Sequence, residues 1–238
     1  DSEHSMKLKI SILAALAAAT AAPVLASDLS YTYIDFRVLG VSTDASGTAT
    51  PVPGQTVAVE TGDGDGISVA GAVALPGRFY ALGSYNSSIV DVSATITSPL
   101  TVAMVEDEFD LITTTFGFGY QYEIAENLDV LGELTYESAE FDFGSLAGED
   151  FDFDDGGAAV RVGFRFNPSP PIEMYAMVGT SPVGEVLLDE RRFDSATVVN
   201  AGMRWYFFPD LGVGLDYQSG DIETLTLSMR FSFGTLPW

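Results

Sequence analysis

Cysteine is missing from all 238 residues, histidine occurs once, at His4, and the only lysines are Lys7 and Lys9. Without cysteine there are no disulfides and no thiol nucleophile. With the single histidine this far forward, a serine triad or histidine-based proton transfer has no partner in the body of the chain. Nucleic-acid binding is excluded by charge. The formal net charge is −24, and beyond residue 26 there are eight arginines and no lysine to neutralise phosphates. Also lacking, after the N-terminal region, is any run of about 18–20 apolar residues that could cross a bilayer as a helix.

The start of the chain has the composition of an export signal. Met6-Lys7-Leu8-Lys9 is basic, Ile10 to Ala22 is apolar and alanine-rich, and Val24-Leu25-Ala26 offers modest side chains where a signal peptidase reads. Cleavage is expected after Ala26, so residues 1–26 comprise an upstream remnant plus signal, and residues 27–238 one domain. That domain is apolar on average without a helical span, as strands in lipid are.

The closing stretch 224-TLTLSMRFSFGTLPW-238 shows the pattern that organises the rest. Leu225, Leu227, Met229, Phe231 and Phe233 take one parity; Thr224, Thr226, Ser228, Arg230 and Ser232 take the other. Side chains of a strand alternate between faces, so this is a two-faced β-strand. Period-two runs predict ten strands, near 29–41, 66–75, 78–88, 110–122, 127–139, 157–167, 171–181, 195–207, 211–219 and 222–233. Four tight connections, 75–78, 123–128, 167–171 and 208–212, alternate with longer polar segments at 42–65, 89–109, 140–156 and 182–194. Short turns on one side and long loops on the other describe an antiparallel up-and-down transmembrane β-barrel of about ten strands, with eight as the alternative.

Which solvent each face meets follows from the charges. The polar parity is mostly Gly, Ser, Thr and Ala, whereas the outside of a water-soluble barrel would be dense in charge. The charges within strands share that polar parity: Asp35, Arg37, Asp129, Glu133, Glu137, Arg161, Arg165, Arg204, Asp216 and Arg230. A charge facing hydrocarbon costs about 2–4 kcal/mol near the midplane, so these residues are expected in the lumen as an ion-pair network, with lipid outside. Phe79, Tyr80, Tyr120, Tyr122, Phe164, Phe166, Trp205, Tyr206, Phe207, Phe231 and Phe233 lie near the tight turns and are expected to form an aromatic girdle. Tyr85, Tyr136 and Tyr217 form a thinner set at the other interface.

With its signal, meander, girdles and aromatic last strand, the chain resembles small outer-membrane β-barrel proteins of Gram-negative bacteria, the broad OmpA-type and small porin-like group. The resemblance implies a bacterial outer-membrane location, with lipid and the barrel-assembly machinery as partners. An even strand number adds that both termini are periplasmic. It also implies that terminal aromatics, here Phe231 and Phe233, serve as the assembly signal. The chain departs from the pattern in 234-GTLPW-238, which places Trp238 last, after a proline.

No constellation for catalysis remains. Glu133 and Glu137 share a strand face roughly 13 Å apart, too far to act as a pair. The acidic stretches 62-GDGDG-66 and 149-EDFDFDDGG-157 lack the spacing of a calcium loop, which leaves weak divalent-cation binding at solvated acidic loops. No metal site, no cofactor and no enzymatic activity are expected. Two functions of different class stand: a structural or surface-interaction barrel with a closed lumen, or a narrow channel for small solutes or cations.

Overall fold

The computed structural model describes residues 31–43, 45–50, 53–142, 145–146, 149–150, 153–187 and 192–233. The expected signal, residues 1–26, and Trp238 lie outside them. Ten antiparallel strands form the wall: β1 (Tyr33–Thr43), β2 (Thr56–Ala74), β3 (Phe79–Thr97), β4 (Val102–Ala125), β5 (Leu128–Asp142), β6 (Phe153–Ser169), β7 (Ile172–Leu187), β8 (Arg192–Phe208), β9 (Leu211–Ser219) and β10 (Ile222–Ser232). Each pairs with its neighbours in sequence, and β1 pairs with β10 from Tyr33↔Ser232 to Thr43↔Ile222. The sheet is therefore a closed barrel, and closure leaves no unpaired edge inside lipid. A short strand, Ser46–Ala49, adds to the outer end of β2, and Ser145–Leu146 pairs with Glu149–Asp150 apart from the barrel.

All ten predicted strands are present, and the four tight turns sit where the punctuation placed them. At the first, Gly77 (φ 78°) takes the left-handed backbone that favours glycine.

The longer segments differ from expectation. Residues 56–65, 89–97, 102–109 and 182–187, anticipated as loops, are strand: the β3–β4 hairpin pairs without a break to Thr97↔Val102 and turns only at 98–101. The glycine-rich 62-GDGDG-66 belongs to β2, where Gly64 lies so close to β3 that a Cβ would meet the Ile89 carbonyl oxygen. These stretches did not read as strands because the alternation changes sense there.

On β3 the inward residues Ser84, Asn86 and Ser88 give way to Val90, Val92 and Ala94, while the outward row passes from Tyr85 and Ile89 to Asp91 and Ser93. On β4 the outward Tyr122, Tyr120, Phe118 and Phe116 give way to Asp110, Glu108 and Glu106, while Thr113 and Thr115 inside give way to Leu111 and Phe109. On β5, Val130, Leu134 and Tyr136 outside are followed by Glu140 and Asp142.

The inversion marks where hydrocarbon ends. From Tyr122 to Ile112 is roughly 25 Å of height for a strand inclined by about 40°, the thickness of the apolar band of an outer-membrane barrel. Beyond it the wall continues in water, where an ordinary inside-out core becomes favourable. Leu39, Val41, Val90, Val92, Phe109, Leu111, Phe141, Val183, Val186, Phe193 and Ile222 form that core across the upper lumen.

Candidate functional site: the barrel lumen

The lumen has three levels. At the turn end lies an ionic floor centred on Asp35, which has no solvent exposure, and Glu173. Arg230 grips Asp35 with two parallel bonds, Nε to Oδ1 and Nη2 to Oδ2, both 2.7 Å. Arg37 donates to Asp35 Oδ2 at 3.0 Å, and Arg204 Nη2 stands 3.6 Å from the same oxygen. Glu173 accepts from Arg204 Nη1 at 2.9 Å and from Arg165 Nη2, and the Tyr206 hydroxyl donates to its Oε2 at 3.1 Å. Arg230 Nη1 lies 3.5 Å from Glu173 Oε1, so the two carboxylates are joined through shared guanidinium groups.

The register explains this convergence. Asp35 faces Arg230 directly across the β1–β10 seam, Glu173 faces Arg204 across β7–β8, and all four occupy inward positions. Planar guanidinium forks match carboxylates in bidentate geometry, which is why arginine suits a crowded interior. The network reaches Asp216, 3.9 Å from Arg204 Nη2 and accepting from the Ser228 hydroxyl at 3.3 Å. The Arg165 guanidinium lies 4.5 Å from the Tyr31 ring centre and that of Arg230 3.3 Å from Tyr33, adding cation–π contacts.

The floor extends to Asp129, which faces Arg165 across β5–β6 and accepts from the Tyr31 hydroxyl at 2.6 Å; above it the Tyr80 hydroxyl donates to Glu133 Oε1 at 2.8 Å. Glu137 pairs with Arg161 and accepts from the Ser181 hydroxyl at 2.6 Å. Between these groups lies a chamber of about 290 Å³, lined among others by Asn86, Thr113, Thr115 and Asn200. The buried Nε atoms of Arg37 and Arg161 and Oδ1 of Asn200 have no protein partner, which suits a hydrated space.

The ceiling is the apolar core. Phe109, Phe141 and Phe193 are almost fully buried, with Phe141 stacked on Phe109 at 4.6 Å and on Phe153 at 5.1 Å.

All ten charged residues expected in the lumen point inward. They do not form one network: Asp35, Arg37, Asp129, Arg165, Arg204, Asp216 and Arg230 share the floor, while Arg161, Glu137 and Glu133 form a smaller group above it. Glu173 is the bridging residue that sequence reasoning missed. Its strand opens 172-IEMYAMVGT-180, with a methionine on each parity, so neither face could be assigned.

Two aromatic expectations are corrected. Tyr80 and Tyr206 point into the lumen, where their hydroxyls reach Glu133 and Glu173. Tyr80 fits because Gly119 faces it; a Cβ on Gly119 would fall about 2.0 Å from the ring. Of the remaining turn-end aromatics, Phe79, Tyr120, Tyr122, Phe164, Phe231 and Phe233 are exposed on the outer wall, while Phe166, Trp205 and Phe207 are half-buried. Phe79 packs edge-on against Tyr120, and Trp205 lies tilted against Phe207 with ring centres 5.2 Å apart. Among the described residues no group of acids is arranged to hold a metal ion.

Residues 66–234 match the outer membrane protein β-barrel domain. The fold is similar to the translocator domain of autotransporter NalP from Neisseria meningitidis, at 14% identity over 98% of this chain and 97% of that one, with a TM-score of 0.45. It is similar to outer membrane protein OprG from Pseudomonas aeruginosa, at 8% identity over 89% and 99%, TM-score 0.45. It is also similar to Ail, the attachment invasion locus protein of Yersinia pestis, at 13% identity over 85% and 97%, TM-score 0.32. No curated protein matches the sequence.

Proposed function

The chain belongs to the outer membrane protein β-barrel domain family, and from that premise we propose that it is a closed barrel with a structural or surface-interaction role. The observation carrying this reading is the ceiling. An apolar cross-section built from β1, β3, β4, β5, β7, β8 and β10 lies across the lumen above the chamber, and a dry, packed constriction bars ions by withholding hydration. The ionic floor blocks the other end by filling it. What remains for the outside world is the extramembrane wall, which carries the acids.

In this reading Phe79, Tyr120, Tyr122, Phe164, Phe166, Trp205, Phe207, Phe231 and Phe233 sit at the lipid headgroup level on the turn side. Both termini face the periplasm, Phe231 and Phe233 present the last strand to the assembly machinery, and the solvated acids hold divalent cations weakly. No catalytic step is assigned.

The refolded chain in a planar bilayer tests the proposal. A silent bilayer from a sample that still shows a boiled-versus-unboiled gel shift is expected. Discrete cation-selective steps would overturn it in favour of a narrow channel, the reading that the polar chamber favours.

A further inference from the structure

We propose that the outer part of β4, Val102–Glu108, is a strand-addition site for an extended, basic segment of another protein. This builds on the surface-interaction reading above by naming the surface and the chemistry of its occupant.

The ladder carries the argument. β3 pairs with β4 as far as Thr97↔Val102, but β5 joins β4 only from Asp110 onward. Among the described residues no strand pairs with the other side of Val102–Glu108, and residues 102–108 are all exposed. The Glu108 N–H bonds the Asp107 carboxylate at 2.9 Å rather than β3, so it faces the open side. By the alternation of an antiparallel ladder, the backbone groups of Val102, Met104 and Glu106 face that side too. An open row of donors and acceptors is a template for another strand. It stands outside the lipid: Val102 is eight residues past Asp110, roughly 20 Å of inclined strand.

The side chains define what fits. On the outward face Val102 and Met104 are followed by Glu106 and Glu108, with Asp107 on the other face. Asp91 on β3 opposes Glu108, and Glu60 on β2 opposes Ser93, the β3 partner of Glu106. Between residues 38 and 160 the sequence has one basic residue, Arg78, and that lies at the opposite end of the barrel. A further acidic strand is therefore repelled. A strand added antiparallel to β4, with two lysines or arginines followed by two apolar positions at period two, places each against its complement.

The test uses the refolded full chain in detergent micelles and a short synthetic peptide that alternates threonine with two lysines and then two valines, carbon-13 labelled at its amides. Saturable binding with a shift of the labelled amide band to β-strand frequencies is expected. Met104→Pro removes an open-side N–H without touching the β3 ladder or any charge; it should weaken binding by about tenfold or more. The Glu106→Gln, Glu108→Gln double variant should weaken it similarly, and a peptide with glutamates in place of lysines should not bind. Absence of binding to the folded chain overturns the proposal. So does binding that Met104→Pro leaves unchanged, which is plain adsorption to acids. Self-association of the chain that Met104→Pro abolishes would also overturn it, assigning the edge to a second copy. A conducting bilayer would sink the closed-barrel reading without changing any of these outcomes.

Discussion

The lower and upper halves of the same strands are built on opposite principles. In the lower half apolar residues face out and arginines and carboxylates fill the interior; in the upper half valines and phenylalanines fill the interior and acids face out. On β4 both halves belong to one continuous strand of 24 residues, whose pairing with β3 runs without a register shift. The solvent outside changes. Where hydrocarbon bathes the wall, polar groups must go in and find partners there. Where water bathes it, the hydrophobic effect reverses the assignment.

The sharpest way to break the comparison is to damage each interior in its own terms. Asp35→Ala leaves Arg230, Arg37 and Arg204 facing one another without their shared carboxylate. A loss of about 3–5 kcal/mol is expected, read as a lowered urea midpoint with the tertiary fluorescence of Trp205 as probe. Phe141→Ala removes the centre of the ceiling and should cost a similar ~3–5 kcal/mol. The two differ in conductance. The Asp35 variant still has its dry ceiling and should stay silent, whereas Phe141→Asp should admit water and give measurable steps. Conductance from Asp35→Ala alone would mean that the ionic floor, not the ceiling, is the seal.

A smaller effect locates the boundary between the halves. Phe118→Arg places a charge in mid-band and should destabilise by about 2–4 kcal/mol in lipid vesicles. Glu108→Arg, on the same outward row beyond the inversion, should cost well under ~1 kcal/mol. Equal costs would erase the boundary.

Gly119→Ala forces Tyr80 from its place and breaks its bond to Glu133; about 1–3 kcal/mol is expected, with the aromatic circular dichroism band altered. Least of all, Tyr206→Phe removes one hydroxyl from Glu173, which keeps its arginines. A loss near 1 kcal/mol should appear in chemical denaturation.

Legibility in the sequence followed this division. In the lower half the rows 224-TLTLSMRFS-232 and 158-AAVRVGFRF-166 displayed contrast between parities, so strands, faces and lumen charges could be read directly. Glu173 escaped because both parities around it carry methionine. Tyr80 and Tyr206 escaped because an aromatic beside a turn suits either face, and only the gap at Gly119 or the reach to Glu173 decides. In the upper half, Gly, Asp and Ser imitate loop composition, and the parity of Val90, Val92 and Phe109 opposes that of the residues below. A run assumed to keep one sense of alternation therefore ended at the inversion.

The sequence by itself determined a meander of about ten strands, the tight turns, the side of most strands that meets lipid and the absence of histidine or thiol chemistry in the body of the chain. Period two and the cost of charge in hydrocarbon are local properties of each strand. Only the tertiary structure decided which arginine meets which carboxylate, that an apolar ceiling spans the lumen and that β4 runs on past the last described pair with β5. Each of those depends on register between strands distant in the chain, such as Asp35 with Arg230, and register appears only when the barrel closes.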